Sequence, residues 1–209
     1  YMMGGIHTDI HGATPLKGLF AAGECACVSI NGANRLGSNS LTEIVVFGAR
    51  AGKAAAEHVS GQTSFGKSIA SLTDDEQKRI ESQYYGGGKR HEKIATLRKE
   101  MHEAMEKGAG IYRTESSLRQ SGGRIRELQE RFKNISVSDQ SYTFNTDLIA
   151  ALVLSYMIDV AETIIESALK RKESRGSHQR TDFPKRDDKS FLSHTLAYKA
   201  EGGPPRIEY

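Results

Sequence analysis

Asn31-Gly32-Ala33-Asn34-Arg35-Leu36-Gly37-Ser38-Asn39-Ser40-Leu41 is a polar loop, punctuated by glycines, that runs directly into a helical pattern. Upstream of it, Gly18-Leu19-Phe20-Ala21-Ala22 is a short apolar run with turn residues on both sides, which predicts a buried strand over 18–22. Downstream, Leu41, Ile44, Val45, Gly48, Ala49, Gly52 and Ala56 recur at three- and four-residue spacing and predict the buried face of a helix starting at Asn39. Gly48 and Gly52 weaken such a helix, and close packing against a sheet is the reason expected for them. Nearer the start, Gly5-Ile6-His7-Thr8-Asp9 and Asp9-Ile10-His11-Gly12 suggest a β-hairpin turning at His11-Gly12. Strand, loop and helix in this order read as α/β.

Three features of this stretch carry chemistry. Gly23 permits a ligand to approach the backbone, and Glu24 beside it can accept hydrogen bonds from ribose or ribityl hydroxyls. A loop carboxylate can equally cap a neighbouring amide. The helix start near Ser38–Ser40 has unpaired amides with positive partial charge, so donors at Ser40 and Leu41 suit an anionic edge such as that of a reduced flavin. Ser38 or Asn39 as a plain N-cap is the alternative. Arg35, just before the helix, has a planar fork of donors that fits one carboxylate, or it is a surface arginine on a loop.

Composition changes near residue 60, so residues 1–60 are read as one segment. Residues 61–90 read as a linker with a short helix capped by Thr73-Asp74-Asp75-Glu76, broken again at Gly86-Gly87-Gly88. Residues 91–172 carry three amphipathic helices with short connections, which predict an antiparallel three-helix bundle. The first runs from His91 to Lys107, with Ile94, Leu97, Met101 and Met105 on one side, the methionines as core filler. The second is capped by Thr114 and reaches about Phe132, with a weak point at Gly122-Gly123. The third is capped by Thr146 and reaches about Arg171, with Leu148, Leu152, Ser155, Ile158, Ala161, Ile165 and Leu169 inward. Residues 173–209 read as an irregular tail.

Hydrophobic residues make up 37% of the 209 and the net charge is +3, with basic residues spread among acidic ones and no Trp, so no nucleic-acid surface is expected. Cys25 and Cys27 are too close for an ordinary disulfide and have no metal-site spacing around them, so both are expected to be small buried residues in a reducing compartment. The longest apolar run, Leu148 to Met157, is interrupted by Ser155 and followed by Asp159; it reads as too short and polar to span a bilayer. The opening Tyr1-Met2-Met3-Gly4-Gly5 has no leader pattern and reads as the interior of a longer protein.

Gly18-Leu19-Phe20-Ala21-Ala22-Gly23-Glu24 together with the loop from Asn31 to Leu41 closely resembles the flavoprotein subunit of succinate dehydrogenase and fumarate reductase. The opening Tyr1–Ile6 and the late block from Glu173 to Asp188 resemble that family too. The resemblance implies an α/β remnant of an FAD-binding, Rossmann-like domain followed by the all-α bundle and tail. It implies that Glu24, Ser40 and Leu41 contact FAD and that Arg35 binds a carboxylate of succinate or fumarate. In the family, hydride passes between substrate and flavin N5, and an arginine on a separate capping domain moves the proton. That arginine, the histidine that attaches FAD covalently, a substrate histidine expected just before Tyr1 and the glycine-rich dinucleotide fingerprint are all expected upstream, so no catalytic group is assigned here and the segment alone is expected to be inactive. Asn31 stands where many members have His, which puts an acid–base role there in doubt.

The resemblance further implies an iron–sulfur partner subunit, a quinone reached through a membrane anchor, and a peripheral position on the cytoplasmic face of a membrane or the matrix side of the mitochondrial inner membrane. L-aspartate oxidase shares the Arg35 loop and a Ser-Arg-Gly-x-His stretch and is the alternative. The blocks Asp182–Asp188 and Phe191–Leu196 are more similar to the dehydrogenase/reductase subunit. A reading of another class makes residues 60–209 an assembly module, with the seven basic and four acidic residues between Arg171 and Lys189 as its polar docking surface.

Overall fold

The computed structural model describes residues 1–61, 69–85 and 92–209, and the chain forms two compact units, Tyr1–Ile69 and Ala70–Tyr209.

In the first unit, β1 (Ile6–His7) pairs in parallel with β2 (Ala26–Cys27), Ile6 opposite Ala26 and His7 opposite Cys27. The strand expected over 18–22 does not form. Phe20 makes an isolated antiparallel bridge to Ala13 that closes the Thr14–Leu19 turn, and Gly18 sits at φ +85°, outside the extended region. The turn at His11-Gly12 is present: Asp9 Oδ1 accepts from the amides of His11 and Ala13 at 2.8 and 2.9 Å. Gly12 is required there, because φ is +75° and a Cβ would lie 2.5 Å from that of Ala51. Its flanks do not make a hairpin, since β1 spends its ladder on β2 instead. Ala26 is buried, while Cys25 is an exposed free thiol and Cys27 a half-buried one, so the expectation of two buried cysteines fails. The alternation of a short strand turns the residue between them inward.

α1 (Asn39–Ser60) begins where expected but is rotated. It buries Glu43 and Ala51, whereas Leu41, Ile44, Val45, Gly48, Ala49, Gly52 and Ala56 are all exposed. A Cβ on Gly48 or Gly52 would meet nothing within 4 Å. Helical periodicity identifies an apolar stripe, but it does not say which surface covers that stripe.

In the second unit, α2 (Ile69–Ile80) runs through Thr73–Glu76, so those residues are mid-helix and not a cap. A five-residue π-turn, Glu81–Tyr85, ends it. The glycine run at 86–88 and His91 lie outside the described residues. α3 (Ile94–Ala109), α4 (Glu115–Phe132) and α5 (Thr146–Lys170) form the bundle. Its antiparallel sense follows from the pairing. The α3 end at Gly108 meets Ser117 and Ser121, while Arg131, at the far end of α4, reaches back to Glu92 and Glu100. Across the other seam, Gly122 faces Ile165 and Gln129 bonds Glu162. Gly122 is a point of close approach, not a break: a Cβ there would stand 3.4 Å from Ile165 Cγ2.

Thr114 caps α4 as expected, accepting from Ser117 N at 3.0 Å while Ser117 Oγ accepts from Thr114 N. The cap of α5 is Asn145, one residue before the expected Thr146; its Oδ1 accepts from Leu148 N at 2.8 Å. α5 turns Ala151, Leu154, Ile158, Ala161, Ile165 and Ala168 to the core, and Leu148, Leu152 and Leu169 are only half-buried. The helix is apolar nearly all round, so its period alone could not select the face. At 25 residues it is also long and apolar enough to cross a membrane by length and composition, because the apolar character continues beyond the interruption at Ser155. Its inner face packs on α3 and α4.

The segment after Lys170 is mostly irregular and carries four short elements. β4 (Gln179–Arg180) pairs in parallel with β3 (Tyr112–Arg113), α6 (Asp188–Phe191) follows, and β5 (Leu196–Tyr198) and β6 (Arg206–Glu208) make an antiparallel pair. Its charges close on themselves. Glu173 and Arg180 have no exposed surface. Glu173 accepts from Arg171, from Arg175 and from the amide of Asp187. Arg180 forms a two-pronged pair with Asp182 at 2.8 Å and donates to Ala168 O at 2.9 Å at the end of α5. Asp182 Oδ2 also accepts from Glu115 N at the start of α4. Because α4 and α5 are antiparallel, one carboxylate meets a positive helix end and its arginine meets the adjacent negative one. Of the block read as an outward docking surface, Glu173 and Arg180 are internal, while Lys172, Asp182, Lys185, Arg186, Asp188 and Lys189 are exposed.

Candidate active site

The loop before α1 is built on backbone that few side chains adopt: Ser29 at φ 71°, Gly32 at 57° and Ser38 at 66°. Non-glycine residues held in the left-handed region are strained, and such strain concentrates where a loop must present groups in a fixed way. Ser38 is the residue before α1 and makes no side-chain cap, so the plain capping role does not hold. Ser40 is half-buried and Leu41 is exposed. The Leu41 amide donates to Ser38 O at 3.2 Å, so of the two donors expected at the helix start it is the one already engaged.

Arg35 is half-buried and held on three sides. Its amide points to Met3 Sδ at 3.1 Å, its Nη1 donates to Leu36 O at 3.0 Å, and its guanidinium carbon lies 4.5 Å from the centre of the Tyr1 ring. Its Nε is buried with no acceptor. A buried donor left without a partner is unfavourable by about 1–3 kcal/mol. Glu24 is exposed, one residue past Gly23 at φ +84°, and its Oε1 accepts from Met2 N at 3.4 Å. Met2 and Tyr1 thus connect Glu24 to Arg35 through adjacent residues of one strand of chain.

Glu43 completes the arrangement and was not singled out from the sequence. Its Oε2 accepts from Tyr1 Oη at 2.8 Å and from Asn31 Nδ2 at 2.7 Å, and the residue is 2% exposed. Burial and the neighbouring Glu43 carboxylate push the Tyr1 phenol above its usual range, which keeps it a donor. Asn31 Oδ1 is buried without a partner. One signal could have exposed Glu43: a lone carboxylate inside Leu41-Thr42-Glu43-Ile44-Val45-Val46, an otherwise apolar turn of helix.

A family model described as fumarate reductase flavoprotein C-term matches residues 98–209, and one described as FAD binding domain matches residues 1–41. The chain belongs to the succinate dehydrogenase and fumarate reductase flavoprotein family. It is 53% identical over 213 residues to the fumarate reductase flavoprotein subunit of Mycobacterium tuberculosis, covering 100% of this chain and 36% of that protein. It is 38% identical over 219 residues to the succinate dehydrogenase flavoprotein subunit of Rickettsia felis, again covering 100% and 36%. A solved quinol fumarate reductase FrdA variant from E. coli superposes with a TM-score of 0.92 at 44% identity, over 98% of this chain and 35% of that one. The chain thus spans about a third of the length of the relatives it matches.

FAD is the cofactor of this family segment. The residues present fit one wall of its site. Ser38 leaves the start of α1 without a side-chain cap, and Glu24, next to the buried Gly23, is exposed.

Proposed function

We propose that this segment supplies the carboxylate-binding wall of an FAD-dependent enzyme that interconverts succinate and fumarate. The observation that carries the reading is Arg35: a half-buried guanidinium fixed by Leu36 O and the Tyr1 ring in the loop before α1. A substrate carboxylate facing the exposed part of this guanidinium gains a charge-assisted hydrogen bond. When bound, FAD supplies the hydride exchange. In this chain Arg35 orients the dicarboxylate, Glu24 accepts hydrogen bonds from the cofactor's hydroxyls, and Ser40 and Leu41 line the flavin at the start of α1.

The proton-transferring arginine and the covalent attachment site belong, on this reading, to parts of the protein outside these residues, and the segment alone has no turnover. The enzyme works with an iron–sulfur subunit and a quinone, peripheral to a membrane. The test is Arg35→Lys in the FAD-loaded enzyme that carries this segment, assayed with succinate and with aspartate as reductant. Lysine keeps the charge and loses the fork, so kcat/KM for succinate should fall roughly a hundredfold, since truncating a buried charged pair loses about 2–5 kcal/mol. Unchanged succinate turnover, or a preference for aspartate, overturns the reading.

A further inference from the structure

Glu43 is a buried carboxylate to which no cation is bonded among the described residues, an arrangement that folding alone disfavours. Both its hydrogen-bond donors, Tyr1 Oη and Asn31 Nδ2, converge on a single oxygen, at 2.8 and 2.7 Å. They come from the two segments that hold Arg35. Tyr1 provides the ring on which the guanidinium rests, and Asn31 lies four residues before Arg35 in the same strained loop.

We infer that Glu43 is the positioning residue of the substrate site, fixing the Tyr1 ring and the Asn31 loop so that Arg35 presents its guanidinium to the dicarboxylate. This rests on the function proposed above. The path has three contacts. Glu43 holds the phenol, the phenol orients the ring, and the ring face holds the guanidinium by cation–π attraction. A carboxylate acceptor makes each of its two hydrogen bonds stronger than a neutral acceptor would, and its charge draws electron density toward the ring. Glu43 itself is covered by Tyr1 and Asn31 and does not touch substrate.

The test uses the FAD-loaded enzyme carrying this segment and reads two quantities: the Kd of malonate, a dicarboxylate, from the perturbation of the flavin spectrum, and kcat with succinate. Glu43→Ala is expected to weaken malonate about tenfold while kcat stays within about twofold, a loss confined to ligand binding. Glu43→Gln keeps both hydrogen bonds and should return malonate affinity to within about threefold of the parent enzyme. Tyr1→Phe keeps the ring and removes the hydroxyl, so its malonate Kd should fall between these two.

In an Arg35→Lys background, adding Glu43→Ala should change malonate affinity by less than about twofold, because the two residues act through one contact. Additive losses, or an unchanged Kd in folded Glu43→Ala, overturn the inference. If Glu43→Ala fails to retain FAD, Tyr1→Phe decides: a weakened Kd supports the inference and an unchanged one overturns it. Absence of succinate turnover and of any malonate response in the parent enzyme would instead defeat the underlying function.

Discussion

Leu97, Leu118, Ile125, Leu128, Leu154 and Ile165 have no exposed surface in the second unit, and its fully buried charges, Glu173 and Arg180, are paired. In the first unit the buried apolar side chains among the described residues are Ala26 and Ala51, while Leu41, Ile44 and Val45 on α1 stand in the open. Three of its buried polar atoms, Thr8 Oγ1, Asn31 Oδ1 and Arg35 Nε, have no partner, against Tyr84 Oη and Arg98 Nε in the larger second unit. The contrast separates two uses of one chain. The bundle spends its residues on holding itself together. The loop-and-helix unit holds groups in reserve for other molecules, and such groups are unfavourable until something binds them.

The largest effect expected on this contrast lies in the second unit. Arg180→Leu would leave Asp182 without its cation and the end of α5 without its donor. Arg180 is fully buried but Asp182 is exposed, so the loss is that of charge-assisted hydrogen bonds, about 1.5–3 kcal/mol, and urea unfolding of the chain should show a loss of that size. A loss under about 0.5 kcal/mol, the range of ordinary surface substitutions, would show that the network is ornamental and would break the contrast.

A graded effect follows with pH. His178 donates from Nε2 to Arg171 O, since a carbonyl can only accept, and so receives Arg113 Nη1 at Nδ1, both at 3.0 Å. Burial lowers its pKa below 6.5, and the facing Arg113, Arg180 and Arg171 lower it further against the raising effect of the Arg171 carbonyl. The unfolded chain therefore binds the proton more readily than the native one below pH 6.5, and stability falls as the solution is acidified through that value. Asp182 works in the same direction at lower pH: held at about 2 chiefly by Arg180, it stabilises fully above 3.8 and loses that contribution as pH falls toward 2. Thermal unfolding of the chain from pH 7.5 downward should show the first decline, and His178→Gln should remove it. A flat profile in the parent chain would contradict the neutral, buried imidazole.

The smallest effect belongs to the first unit. Val45→Gln lies on the exposed stripe of α1 and should change the unfolding free energy of this chain by no more than about 0.5 kcal/mol. A much larger loss would mean that the stripe is covered within the chain itself, and the two units would no longer differ as described.

How much of this was legible beforehand depended on range. Thr114 as a cap, the start of α1 near Asn39 and the inward face of α3 rest on local chemistry, and each appears as read. The missing strand at 18–22, the rotated faces of α1 and α5 and the short elements of the tail depend on contacts across distance. Ala26 beats Phe20 as a ladder partner because Ile6 is there to receive it. Glu173 and Arg180 look like solvated charges until the segment folds back on the bundle. The candidate site followed the same rule: the motif exposed Arg35, while Tyr1 and Met3, which hold it, and Glu43, which bonds Tyr1, lie up to 34 residues upstream or eight downstream along the chain and were missed.

The Arg180–Asp182 clip also sets an order of events during synthesis. Asp182 reaches Glu115 across 67 residues, so the start of α4 emerges long before the group that completes its cap exists. Contacts of such separation form late, because the intervening loop must close first. The three helices can associate as they appear, but the seam between the start of α4 and the end of α5 stays open until β4 arrives. A chain stopped before Gln179 would therefore be a bundle with one unlatched end, marked for proteases by the Glu115 amide and the Ala168 carbonyl that Asp182 and Arg180 otherwise cover.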